Sequence, residues 1–158
     1  MMSIDETFMR MAIEKARVGL GHGQMPFGAV IVKDGNVIAC EHNVVWATTD
    51  ITAHAEVIAI RRACLVVNGI SLAGCTIYST TEPCPMCFSA IHWAKLDKII
   101  YGAAIDDARV AGFSEMPISN AEMKRQGGCK VEIVPHFLRD EAAELFHMYM
   151  KQSGRRGY

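Results

Sequence analysis

The chain predicts one α/β domain over residues 1–158, three layers deep, with a mixed sheet of about five strands at its centre. Two β-rich runs, 27–33 and 37–43, flank Asp34-Gly35-Asn36, which is strong hairpin punctuation. A strand–helix–strand alternation over 75–103 requires a crossover connection and hence a parallel pair. Amphipathic helical spacing near both ends supplies covering layers. A length of 158 residues with 51% hydrophobic and 21% charged content suits a folded domain with a sizeable core.

In chain order, Ser3-Ile4-Asp5-Glu6 has the capping-box spacing, and Ile4, Phe8, Met11, Ala12 and Ala16 recur on one helical face over 4–18. The cluster Gly19-Leu20-Gly21-His22-Gly23 is expected to end that helix. It is not a dinucleotide loop, which follows a strand and opens a helix. After the hairpin, residues 44–52 read as a loop. Ile58, Ala59, Ala63 and Val66 then mark a helix over 53–67, closed by Asn68-Gly69. Cys75–Thr80 and Lys98–Ala103 are strands around a helix over 84–94. Residues 106–119 are expected to be a loop, 120–126 a short helix, 130–134 a strand and 140–152 an amphipathic helix. Residues 153–158 form a tail, flexible unless docked.

Sixteen Lys and Arg balance seventeen Asp and Glu, so no global field draws the chain to nucleic acid. The adjacent pairs Arg61-Arg62 and Arg155-Arg156 read as solvated surface. The acidic first residues lack the apolar core of a signal peptide, and no apolar run approaches the roughly 20 residues that span a bilayer. The expected compartment is the cytoplasm, where paired cysteines bind metal or catalyse more often than they crosslink. Of the six cysteines, Cys40, Cys64, Cys75 and Cys129 stand singly and are expected to be small buried hydrophobes.

The other two, Cys84 and Cys87, lie at i and i+3 where a helix opens after a strand. Their sulfurs can face one point, the helix N-terminus favours thiolates, and Pro83 and Pro85 suit a helix start. His54 also opens a helix after a loop. If the two helix starts meet, His54, Cys84 and Cys87 give three metal ligands and leave one tetrahedral position open, the pattern of a catalytic zinc. Glu56 would then stand beside the activated water as proton carrier. Two rival readings remain. Cys84-Pro85-Met86-Cys87 after a strand is also the context of a dithiol–disulfide oxidoreductase, which leaves His54 and Glu56 without a role. A structural zinc would need a fourth ligand, for which Cys75 and His92 are the available residues.

His54-Ala55-Glu56 followed by Pro83-Cys84-Pro85-Met86-Cys87 resembles the H-x-E…P-C-x-x-C signature of the zinc nucleobase deaminases. The order of elements resembles their cytidine-deaminase-like fold. Within that superfamily the chain is most similar to bacterial guanine deaminases, through Pro26–Gly35, Thr52–Val57, Glu82–Cys87, Ala90–Ala94 and Ala111-Gly112-Phe113. The resemblance implies one Zn²⁺ per chain on His54, Cys84 and Cys87, with Glu56 as catalytic acid and base. It implies base contacts from Asn43, the Ala55 backbone, Phe27 and Trp93. It also implies a homodimer in which Tyr158, on a swapped C-terminal tail, reaches a neighbouring site. Where that family has Asp-Asp after Gly-Phe, this chain has Ser114-Glu115; Glu115 keeps a carboxylate with one more methylene. The implied reaction is hydrolysis of a free purine base, guanine to xanthine and ammonia. Deamination of tRNA adenosine, cytosine or another amino-heterocycle such as a pterin or triazine stands as the alternative.

Overall fold

The computed structural model describes residues 1–158. Its elements are α1 (Ile4–Gly21), β1 (Gly28–Lys33), β2 (Asn36–His42), α2 (Val45–Thr48), α3 (Ala55–Val67) and β3 (Cys75–Thr81). They continue with α4 (Pro85–Ala94), β4 (Lys98–Ala103), α5 (Ile105–Val110), α6 (Asn120–Gly127), β5 (Glu132–Val134) and α7 (Arg139–Lys151). The sheet runs β2-β1-β3-β4-β5. β1 pairs antiparallel with β2 and β3, whereas β3, β4 and β5 are parallel. This is the mixed five-stranded α/β architecture expected from the sequence.

Alternation along the strands divides the core in two. Val30, Val32, Tyr78 and Ile100 face α1 and α7, meeting Phe8, Ile13, Leu145 and Phe146. Ala29, Ile31, Ile77 and Ile99 face α3 and α4, meeting Ala59, Ala63, Phe88 and Ile91. Gly28 allows the first of these layers to close: a Cβ there would overlap the Ala12 carbonyl oxygen and come within 3.0 Å of Ala16 N. No helix is long and apolar enough to cross a membrane.

Four local expectations need correction. Residues 44–52, expected as loop, hold the single-turn helix α2. The first helix is capped as expected, with Ser3 Oγ accepting from Glu6 N at 3.2 Å and Ser3 N donating to Glu6 Oε2 at 2.8 Å. It nevertheless runs past residue 18 to Gly21. Gly19 is there for packing, not termination, because a Cβ would come within 2.8 Å of His42 Cγ on β2. Within 106–119, expected as loop, α5 forms because Asp107 Oδ2 accepts from Ala104 N at 2.8 Å; six residues are too few to show a helical period. Of the four single cysteines only Cys75 is buried; Cys40, Cys64 and Cys129 are half-buried. Cys129 Sγ lies 3.3 Å from His92 Nδ1, a polar partner that an apolar reading does not foresee.

Candidate metal centre and active site

His54 and Cys84 are the residues immediately before α3 and α4, both extended, with ψ of 154° and 166°. Each leaves the backbone just as its helix begins, so both side chains turn across the open helix ends instead of along the helix. Cys87, one turn into α4, joins them. His54 Nδ1 lies 3.6 Å from Cys84 Sγ and 3.6 Å from Cys87 Sγ. Zn–S bonds of about 2.3 Å and a Zn–N bond of about 2.0–2.1 Å at tetrahedral angles give a nitrogen–sulfur edge of about 3.6 Å. Two edges of one face of a zinc tetrahedron are therefore already in place, with all three ligand atoms within 4.8 Å of one another, and two sulfurs with an imidazole nitrogen are a donor set zinc favours.

The charges favour the metal-binding form at one ligand, Cys84. A hydrogen bond from Cys87 draws the Cys84 pKa down to about 4, against the cost of burial and with help from His54. Cys87, the donor of that pair and deeply buried, is pushed up. Burial opposes protonation of His54, but its hydrogen bond to Cys84 and the nearby Glu56 carboxylate raise it on balance.

Glu56, on the first turn of α3, is 5% exposed. Its Oε2 is 3.5 Å from Cys87 Sγ, and its Oε1 accepts from Ser79 Oγ at 2.8 Å. Burial, then the Cys84 charge, raises its pKa. A buried carboxylate inclined to hold a proton beside a metal face is suited to carrying protons. Ser79 is not singled out by sequence, since one hydroxyl among several along β3 carries no signal of its own. Its hydroxyl also lies 2.7 Å from the Thr81 carbonyl oxygen, so its single proton serves one acceptor at a time.

The structure gathers most of the other sequence candidates here. Phe27 and Glu115 line the small cavity over His54, Glu56 and Cys84. Phe27 packs edge-on to Phe113 at 5.1 Å, and Ala55 is buried at the first turn of α3. Asn43 is fully buried; its Oδ1 accepts from Val45 N at 3.1 Å, and its Nδ2 donates to Tyr158 Oη at 3.1 Å. The terminal tail is docked, not loose. Tyr158 Oη is 3.0 Å from His54 Nε2 within the same chain, and Arg156 lies 4.4 Å over the Trp46 ring. Burial and the Cys84 thiolate push the Glu115 pKa up to about 7.

Trp93 is the exception. It is 78% exposed on the last turn of α4, edge-on to His92, and lines none of this cavity. The alternative fourth ligands do not arrive either: Cys75 sits at the start of β3, and His92 pairs with Cys129. Next to the ligands opens a cavity of about 180 Å³ lined by Ile51, Met86, Glu115, Met116 and Tyr158. Larger clefts, against the turn before β5, along α6 and on α5, lie away from this chemistry.

A family model described as the cytidine and deoxycytidylate deaminase zinc-binding region matches residues 2–103. The guanine deaminase of Bacillus subtilis (strain 168) is 49% identical over 111 residues, 70% of this chain and 71% of that protein. The tRNA-specific adenosine deaminase of the same organism is 30% identical over 151 residues, 96% of this chain and 91% of that protein. Among solved structures, a guanine deaminase from Nitrosomonas europaea superposes with a TM-score of 0.86 at 26% identity, covering 96% of this chain and 87% of that one.

Proposed function

The chain belongs to the cytidine and deoxycytidylate deaminase zinc-binding family, and we propose that within it this protein deaminates a free purine base, guanine to xanthine and ammonia. The family's chemistry is hydrolytic removal of an amino group from a heterocycle. His54, Cys84 and Cys87 would hold the zinc; when bound, it supplies the Lewis acidity that makes water nucleophilic near neutral pH.

The chain's own residues account for the remainder. Glu56 takes a proton from the attacking water, then returns protons to the ring nitrogen and the departing amine. Ser79 keeps that carboxylate aimed while its charge changes. Phe27 offers a ring face to the base and the Ala55 amide a donor, while Asn43 acts on the site through Tyr158, to which its Nδ2 donates at 3.1 Å. Glu115 accepts from the N–H groups that distinguish guanine.

One observation carries the choice of guanine: the lining of the roughly 180 Å³ cavity contains the Glu115 carboxylate and no Lys or Arg. A space below the ~300 Å³ usual for larger ligands suits a single base. RNA binding relies on cations for its phosphates, and none line this cavity. The 49% identity to a guanine deaminase points the same way. Ammonia release over guanine, adenine, cytosine, guanosine, pterins, triazines and an anticodon stem-loop tests this. Turnover confined to the RNA, or to cytosine, would overturn guanine and leave the zinc chemistry intact. Absence of zinc together with reversible Cys84–Cys87 oxidation would favour the dithiol reading.

The proposal extends to a single deaminase domain acting in the cytoplasm as a homodimer. Here the tail occupies its own chain's site; exchange between two protomers would place the same Tyr158 contacts in trans. Light scattering of the purified protein measures the oligomeric state directly.

A further inference from the structure

The turn after β3 does more than present Cys84. Glu82 is 7% exposed, and backbone amides take both its oxygens. Oε1 accepts from Asn120 N at 2.8 Å and Oε2 from Ile105 N at 3.2 Å. Those are the first residues of α6 and α5, so one carboxylate grips both ends of segment 105–120. Helix-start amides are strong donors to a carboxylate.

The return link comes from Asn120, which is wholly buried and donates from Nδ2 to the Pro83 carbonyl at 2.6 Å. The amide has one workable orientation, because a flip would set Oδ1 against that carbonyl. Holding the Pro83 carbonyl fixes the peptide that leads into Cys84. Between the two grips stand Phe113, packed on Phe27, and Ser114, whose N–H donates to the Tyr158 carbonyl oxygen at 3.2 Å. Glu115 follows directly.

We propose that Glu82 and Asn120 are positioning residues for base recognition: they bolt segment 105–120 to the turn carrying Cys84, setting Glu115 and the tail at a fixed distance from the metal ligands. The proposal rests on Glu115 recognising the base. The bracket predicts that binding of the base, more than its conversion, depends on this carboxylate.

Glu82→Gln tests it, because an amide has one acceptor oxygen and its NH₂ would face the other helix-start N–H. In zinc-loaded protein, amide exchange over 105–120 should accelerate by about tenfold while β1 and β3 peptides stay unchanged. KM for guanine should rise by about tenfold with kcat within about threefold of the parent. Asn120→Ala keeps the backbone bond to Glu82 and loosens only the Pro83 link. It should speed zinc loss to a chelator about tenfold without faster exchange at Ile105.

Unchanged exchange over 105–120 in a folded Glu82→Gln protein would overturn the bracket. So would kcat/KM falling only in proportion to the folded fraction. If Glu82→Gln does not fold, the zinc-loss measurement on Asn120→Ala decides: parent-like loss refutes the bracket. If the parent fails to turn over guanine, the substrate assignment falls, and the exchange and zinc-loss measurements still decide the bracket.

Discussion

Tyr158→Phe removes a single oxygen from the site. That oxygen stands 3.0 Å from His54 Nε2 and 3.1 Å from Asn43 Nδ2. Because His54 Nδ1 faces the two sulfurs, the ring proton belongs on Nε2 and is donated outward. The hydroxyl therefore accepts twice, and its own proton is left to point away from both donors. Asn43 cannot swing to another partner, since its Oδ1 is pinned by Val45 N at 3.1 Å and its side chain is fully buried.

Each orphaned buried donor costs about 1–3 kcal/mol. Loss of an outer partner of a metal-bound imidazole lowers metal affinity by about 10–100-fold, or about 1.4–2.7 kcal/mol. The two ranges overlap, so Tyr158→Phe should weaken zinc binding by at least about tenfold. Competition with a chromophoric chelator measures this, and because the substitution leaves the tail intact it is a cleaner comparison than truncation. An affinity within about threefold of the parent would show that Tyr158 does not orient His54.

Two further outcomes follow from the same geometry. Glu56→Gln keeps the side-chain shape and an oxygen for Ser79, so one zinc per chain should remain by metal analysis; kcat should fall by about 10²–10⁴, and activity near the parent's would remove Glu56 from the proton path. Glu115, raised to about 7 by burial and by Cys84, is neutral below that pH and an acceptor-only anion above it. KM for guanine should therefore fall as pH rises through about 7, and this limb should vanish in Glu115→Gln. Because the folded-state pKa lies above that of an exposed carboxyl, ionisation opposes folding. Glu115→Gln should accordingly raise the melting temperature above that pH and leave it unchanged in acid.

Much of the architecture was legible because its signals are local. Asp34-Gly35 delivers the hairpin, with Asp34 and Gly35 both at positive φ. The capping box at Ser3 and the Asn68 turn that ends α3 also lie where sequence places them. His54, Glu56, Cys84 and Cys87 could be grouped because their chemistry makes sense only together. Ser79, Glu82 and Asn120 could not. Each is an ordinary polar residue whose meaning depends on a partner 23 to 38 residues away. Trp93 shows the converse: the family resemblance implies a ring for stacking, but its position on α4 turns it to solvent. Gly19 misleads for a related reason, since a glycine that ends a helix and one that lets a helix approach a strand look alike in sequence.

The two faces of the sheet also differ in how much chain separates their parts. The α3–α4 face, which carries the metal ligands, draws on strands and helices that follow one another closely. The opposite face joins α1 to α7, and its Arg10–Glu141 pair links residues 131 apart. Closing the longer loop costs more chain entropy and slows the contact. The order of assembly is therefore written into the layout: amides of α3 and α4 should gain protection ahead of those at the α1–α7 seam in pulse-labelled refolding. The metal cradle would take shape while the two ends of the chain are still apart.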